Sequence, residues 1–235
     1  MKRFWKQAEA TADHGIALDG RPVRTPGRVA LILPTPALAA AVAAEWQAVG
    51  DVVLPAAMPL TGLANAAIDR IAPDPQGFAA GLARYAESDL LCYRAESPDE
   101  LVARQEAAWD PLLAWARGRY DVAFGTTAGI VHRAQPSATI ARLGEAVAAH
   151  NAFALAALSP LVTLTGSLVV PLALAEGAFG ADAAWAAAHV DEDWQAERWG
   201  ADQQAADRRA ERRREFDAAL SFLALSQRGT AGPMV

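Results

Sequence analysis

Twenty-five consecutive residues, Asn151 to Ala175, carry no charged side chain. A stretch of that length and polarity either spans hydrocarbon or lies inside a protein. Pro160, Gly166 and Pro171 interrupt it, and Ser159, Thr163, Thr165 and Ser167 place hydroxyls along it. No lysine or arginine flanks it closely enough to anchor it at a bilayer surface. The segment therefore reads as the buried central helix of a bundle, broken near Pro160, with no stable membrane insertion. The surrounding chain must then supply amphipathic helices to cover it.

The sequence on either side meets that demand. From Leu60 onward apolar residues recur at helical spacing. Helices are expected over 61–71 and 76–87, separated by Pro73-Asp74-Pro75. Ser97-Pro98-Asp99-Glu100 has the form of a capping box with proline at the first helical position. The helix it opens meets Pro111, where Asp110 can cap afresh, so a kink is expected. Residues 122–131 read as a crossing between helices. Residues 137–150, 181–199 and 201–226 read as further helices, and the residues after Gln227 as a loose tail.

The first sixty residues follow a different period. Residues 5–12 alternate loosely, and Ile16-Ala17-Leu18 runs into Asp19-Gly20, a hairpin signal with Val23 to Thr25 as the return strand. Val29 to Leu33 has the length and apolar content of a strand, and Val52 to Leu54 can add another. Between them Thr35 caps a helix with Pro36 at its first position, running to about Ala48. Leu38, Val42 and Trp46 fall on one face of it. The whole reads as an α+β chain: residues 1–60 form a small two-layer domain, a twisted antiparallel sheet with a helix across it, and residues 61–235 a larger helical domain.

Composition narrows the function classes. With 53% hydrophobic and 20% charged residues the chain is globular. A net charge of −6 argues against nucleic acid and anionic membranes as partners. Cys92 is the single cysteine, so no intrachain disulfide can form, and the residue reads as a buried small hydrophobe. The start, Met1-Lys2-Arg3-Phe4-Trp5-Lys6, has no apolar run behind it, so no signal or transit segment is expected and the location is expected to be cytoplasmic. Phosphate-loop, nucleophile-elbow and HExxH patterns do not occur.

Two clusters invite chemistry or contact. His189, Asp193 and Glu197 stand at i, i+4 and i+8, one face of a helix, where an imidazole and two carboxylates could hold a metal or run acid–base chemistry if another element supplied ligands. The plainer reading of the same stretch is a solvated acidic face, and a third is a charged contact surface for a partner. In Arg208 to Glu215, arginines alternate with Asp207, Glu211 and Glu215, as in a salt-bridged exposed helix. Tryptophan is enriched among residues that carry binding energy. Trp199-Gly200, just after Glu197, is the place where charge and an aromatic meet at a helix end.

Taken in order, several short motifs form a recognisable series. It runs from Arg3-Phe4-Trp5-Lys6 to Leu18-Asp19-Gly20-Arg21-Pro22-Val23-Arg24-Thr25-Pro26, then Leu33-Pro34-Thr35 leading to Glu45-Trp46. Met58-Pro59-Leu60-Thr61 through Ala67-Ile68-Asp69 follows, then Asp89-Leu90-Leu91-Cys92-Tyr93-Arg94, Gln105 through Trp109-Asp110-Pro111-Leu112-Leu113, and Trp199-Gly200. The series resembles the assembly chaperones that attend the free alpha subunit of the ATP synthase F1 sector, over nearly the whole chain. The resemblance implies an N-terminal α+β domain and a C-terminal all-α orthogonal helical bundle. It implies a monomeric, non-enzymatic protein without cofactor or metal that holds the F1-ATPase alpha subunit transiently until it joins the beta subunit. Gln204 departs from the acidic residue expected there. Glu192, Asp193, Trp194, Glu197 and Trp199 are the expected partner-binding residues.

Overall fold

The computed structural model describes residues 2–129, 131–200 and 202–227. The expected tail after Gln227 lies outside the described residues. Two compact units are formed by discontinuous stretches of chain. One takes the described residues of Met1–Pro75, His150–Ala157 and Ala218–Val235; the other takes Gln76–Ala149 and Leu158–Asp217.

In the first unit, β1 (Ala8–Ala10), β2 (Ile16–Leu18) and β3 (Arg21–Pro22) form an antiparallel sheet in that order. Asp19 and Gly20 both have positive φ, 47° and 76°, as the two-residue turn between β2 and β3 requires. The Asp19 carboxylate also accepts from the backbone N–H of Lys6 and Gln7, tying the turn to the chain entering β1. The expected strand at 29–33 is reduced to isolated bridges, Ala30 to Arg24 and Ile32 to Gly15, and Val52 makes another with Lys2. A tight Ile32 N–H to Ala30 carbonyl contact of 3.0 Å bends the chain there, while Leu31 and Leu33 still alternate inward.

Helix α1 (Pro36–Ala48) begins as the sequence predicts: Thr35 Oγ1 accepts from Leu38 N at 3.1 Å, and Pro36 opens the helix. Leu38, Ala39, Val42 and Ala43 are buried, with α1 lying on β1 and β2. Trp5, Leu18, Val49 and Met58 form a cluster joined by Trp46 and Val53. The next helix, α2 (Pro59–Ala66), has no cap of its own at Met58. Glu45 supplies it from α1: its carboxylate accepts from Leu60 N, Thr61 N and Thr61 Oγ1, each at 2.8 Å. A wider π turn at Ala67–Ile71 carries Asp69, whose carboxylate accepts from Thr25 Oγ1 and Gly27 N.

The second unit is almost entirely helical: α3 (Pro75–Ala83), α4 (Asp99–Tyr120), α5 (Ser137–Ala148), α7 (Val169–Ala175), α8 (Ala181–Ala188) and α9 (Val190–Trp199). Parts of α6 (Ala152–Thr165) and α10 (Gln203–Gln227) also belong to it. Helix α4 is the hub, touching α7, α8 and α9, and Trp109 at its middle donates from Nε1 to the Ala187 carbonyl. The predicted capping box does not form: Pro98 is the N-cap and no side chain caps α4. The helix runs on through Pro111, and Asp110 pairs with Arg94 instead of opening a new helix. Residues 122–131 include β5 (Thr127–Ala128), which pairs in parallel with β4 (Tyr93–Arg94).

The uncharged segment is interior, as expected, yet it breaks elsewhere. Helix α6 passes through Pro160 and stops at Thr165, and α7 follows with Val169 to Leu174 all buried. Asp89 accounts for the second start. Fully buried, it accepts through Oδ2 from Ser167 Oγ, Leu168 N and Val169 N and through Oδ1 from Leu91 N. The carboxylate thus satisfies the orphan donors at the entry to α7. Among the described residues no helix is long and apolar enough to cross a membrane.

Candidate protein-binding site

The sequence predicts one helix over 181–199. The chain instead breaks at His189, the N-cap of α9, whose φ of −124° and ψ of 19° leave the helical region. This break removes His189 from the line of Asp193 and Glu197. Its ring is buried, stacked on Trp185 at 3.8 Å, and Nδ1 lies 2.8 Å from the Trp185 carbonyl. Burial holds the imidazole pKa below its ordinary value, so the ring is neutral near pH 7. Among the described residues no group of three or more His, Cys, Asp or Glu side chains is placed to hold a metal. The structure therefore does not assemble His189, Asp193 and Glu197 into one centre.

The carboxylates of α9 face arginines. Glu192 receives both terminal nitrogens of Arg212, at 3.0 and 2.7 Å. Burial works against the charged form of Glu192, but the Arg212 hydrogen bonds and charge outweigh it and hold the pKa below the ordinary value. Asp193 pairs with Arg209, and Asp191 accepts from Gln105 Nε2 at 2.7 Å. Glu197 pairs with Arg104 at 2.7 Å, and that bond first, with the arginine charge, lowers its pKa. Asp191, Glu192 and Asp193 occupy the first turn of α9, where the helix dipole favours negative charge.

The expected pairing within the arginine run is largely replaced. Among the described residues, Arg209 and Arg212 reach α9, and Arg213 reaches Asp182 on α8 as well as Asp217 four residues on. On the neighbouring helix, the Glu192 carboxylate takes both terminal nitrogens of Arg212, a bidentate fit to the planar guanidinium. Exposed pairs of this kind contribute about 0–1 kcal/mol each, so their effect is to fix α9 against α4 and α10.

The two tryptophans of α9 divide the work. Trp194 is only 6% exposed, with the Arg104 guanidinium 4.9 Å and the Arg198 guanidinium 4.4 Å from its ring centroid. It is a platform for cations. Trp199 is 77% exposed at the end of the helix. Next to it Gly200 takes φ 85° and ψ 156°, a region essentially closed to other residues, and turns the chain toward α10. Trp199 stands at the lip of a groove of about 890 Å³ between α9 and α10, with Ala196, Ala205 and Ala206 beside charged Glu192, Arg208 and Arg212. Gln204 donates its backbone N–H to the Asp202 carboxylate, so the acid at this corner stands two residues earlier than the expected position. Sequence reasoning missed Arg104 and Arg198 as partners of Trp194 and did not place Asp202. Helical spacing within α9 could have found Arg198, but nothing local could have found Arg104.

An exposed tryptophan thus stands above a charged groove, on a scaffold of cross-braced helices. Comparisons with known proteins place the chain in a family. Residues 2–117 match the model described as ATP12 chaperone protein. Atp12 from Paracoccus denitrificans is 42% identical with a TM-score of 0.89, covering 96% of this chain and 98% of that one. A single-residue variant of the same protein gives the same identity and TM-score, with 97% of that chain covered. A protein from Agrobacterium tumefaciens is 44% identical, also with a TM-score of 0.89, over 95% of this chain and 85% of that one. The class is that of chaperones for ATP synthase assembly. The chain belongs to the ATP12 chaperone family.

Proposed function

We propose that this protein captures the free alpha subunit of the ATP synthase F1 sector, covers the surface that later meets the beta subunit, and gives it up as the ring assembles. An unassembled ring subunit presents a broad, partly apolar face that aggregates unless covered. The carrying observation is Trp199, a large aromatic left in solvent above the groove between α9 and α10. Glu192, Asp193 and Glu197 contribute as half-exposed carboxylates that exchange intramolecular arginines for partner groups at little cost. Trp194 contributes from beneath by holding Arg104 and Arg198 in place. In this reading the protein works as a cytoplasmic monomer, without catalysis or cofactor and without nucleic acid. Family membership supports the chaperone class, and the exposed aromatic supports protein contact.

Light scattering of purified alpha subunit, with and without the protein, tests the reading. Suppressed aggregation and a complex on sizing are expected; neither appearing would refute it. Trp199→Ala should weaken capture while leaving the melting curve in place, because a side chain so exposed holds little of the fold together. A permanent subunit of the enzyme would instead be retained in finished ATP synthase, where a chaperone should be absent.

A further inference from the structure

Seven large apolar side chains are exposed among the described residues, and five of them lie within the first 54 positions. Three of the five form one stripe. Lys2 is bridged antiparallel to Val52, and Arg3 N donates to the Asp51 carbonyl at 2.9 Å. Side chains alternate across such a pair, so Lys2, Phe4, Val52 and Leu54 share one face while Trp5 and Val53 pack into the core behind. Phe4 is 64% exposed, Val52 46% and Leu54 61%. The exposed apolar surface continues through Pro55, Ala56 and Ala57. Single exposed apolar residues are ordinary, but a contiguous row of them marks a contact surface.

The rim of the stripe is basic. Lys2 stands beside Val52, and Lys6, also exposed, comes two residues after Phe4; neither ammonium forms an ion pair among the described residues. The first 54 residues, which hold the stripe, carry six Lys or Arg against five Asp or Glu, a net +1, within a chain of net −6. The charge of this segment is thus opposite to that of the whole protein. It selects an occupant that is apolar at its centre and acidic at its edges.

We propose that the Phe4–Val52–Leu54 stripe is a second docking surface, taken by an apolar segment of the client subunit whose flanking carboxylates meet Lys2 and Lys6. The proposal rests on the reading of the chain as a chaperone for the alpha subunit. Two modest contacts carried by one chain capture a client far better than either alone, and they can be released one at a time.

The test is binding of the full chain to purified alpha subunit at low and high salt, comparing wild type with Phe4→Ser/Leu54→Ser, Lys2→Glu/Lys6→Glu and Trp199→Ala. Leu54→Asp alone serves as a further variant if the Phe4 change lowers the melting temperature. The apolar variants should bind about tenfold more weakly or worse, with an unchanged melt. The lysine reversals should weaken binding and flatten its salt dependence. Wild-type affinity in all the stripe variants, alongside weakened Trp199→Ala, would overturn the second surface and leave the chaperone reading standing. No binding by the wild type would remove that reading first and the stripe with it. If the stripe variants instead convert a wild-type dimer to a monomer without changing client capture, the stripe is a self-contact and the proposal fails.

Discussion

Replacing Asp89 by alanine takes one acceptor group away from four donors, three at the entry to α7 and one in the short turn Leu90–Cys92. Three are backbone N–H groups, of Leu91, Leu168 and Val169, and the fourth is the Ser167 hydroxyl, at 2.8 to 3.1 Å. A buried donor left without a partner costs about 1–3 kcal/mol, so the low end for all four totals about 4 kcal/mol. The variant is relieved of a desolvated carboxyl, which brings the expected loss to about 3 kcal/mol. For a chain of this size that lowers the melting temperature by about 6–12 °C. Asp89→Asn keeps one oxygen for Ser167, Leu168 and Val169 and loses the bond from Leu91, so it should cost about 1–2 kcal/mol. Urea unfolding followed by tryptophan fluorescence, with Ser167→Ala as a third variant, measures the ranking. The pH dependence adds a signed check. Burial, opposed by the four hydrogen bonds, raises the Asp89 pKa above its ordinary 3.8. The folded state therefore binds more protons than the unfolded one between 3.8 and the raised value, and stability from this group falls as pH climbs through that window. The advantage of wild type over Asp89→Asn should shrink with rising pH there. An alanine variant that lost less than about 1 kcal/mol would refute the claim that Asp89 holds the entry to α7.

Three further outcomes are expected. Gly200→Ala should destabilise by about 1–3 kcal/mol in urea unfolding through backbone strain alone, because φ is 85° and nothing lies within 4 Å of an added Cβ. Glu45→Ala should cost about 1–2 kcal/mol and speed hydrogen exchange at Leu60 and Thr61, since it removes the only side-chain cap seen on α2 among the described residues. Cys92, buried and with its thiol pushed up to about 12 mainly by desolvation, should resist a thiol reagent at mild alkaline pH in the native state and react once unfolded.

Local signals told most where the physics is local. Thr35-Pro36 predicted the start of α1 to the residue, and Asp19-Gly20 predicted its turn, because caps and tight turns depend on neighbours in sequence. The helical period from Leu60 held, with α2 starting at Pro59. What the sequence concealed were contacts made at a distance. Glu45 looks like any helical glutamate, yet it caps a helix 15 residues away; Asp89 sits in an apolar motif, yet it serves donors nearly 80 residues on. Ser97 and Glu100 matched a capping pattern that did not form, and Glu100 pairs with Arg198 instead. In the candidate site, the acids and tryptophans of α9 were visible as residue types. Their partners on α4 and α10 were not, since periodicity within one helix says nothing of the helix beside it.

The Thr35 hydroxyl, which caps α1 from the front, donates at 2.7 Å to the carbonyl of Leu225, 190 residues later. Phe153 and Phe222 stack in the same unit at 6.4 Å between ring centroids. The sheet and α1 emerge from a ribosome long before the end of α10, which belongs to the same unit. The bond from Thr35 can therefore form only after the 190-residue separation to Leu225 has been synthesised, a contact of very long range. A chain cut before α10 would lose the acceptor of the Thr35 hydroxyl. A chaperone of this build is itself incomplete until the end of α10 reaches the Thr35 hydroxyl.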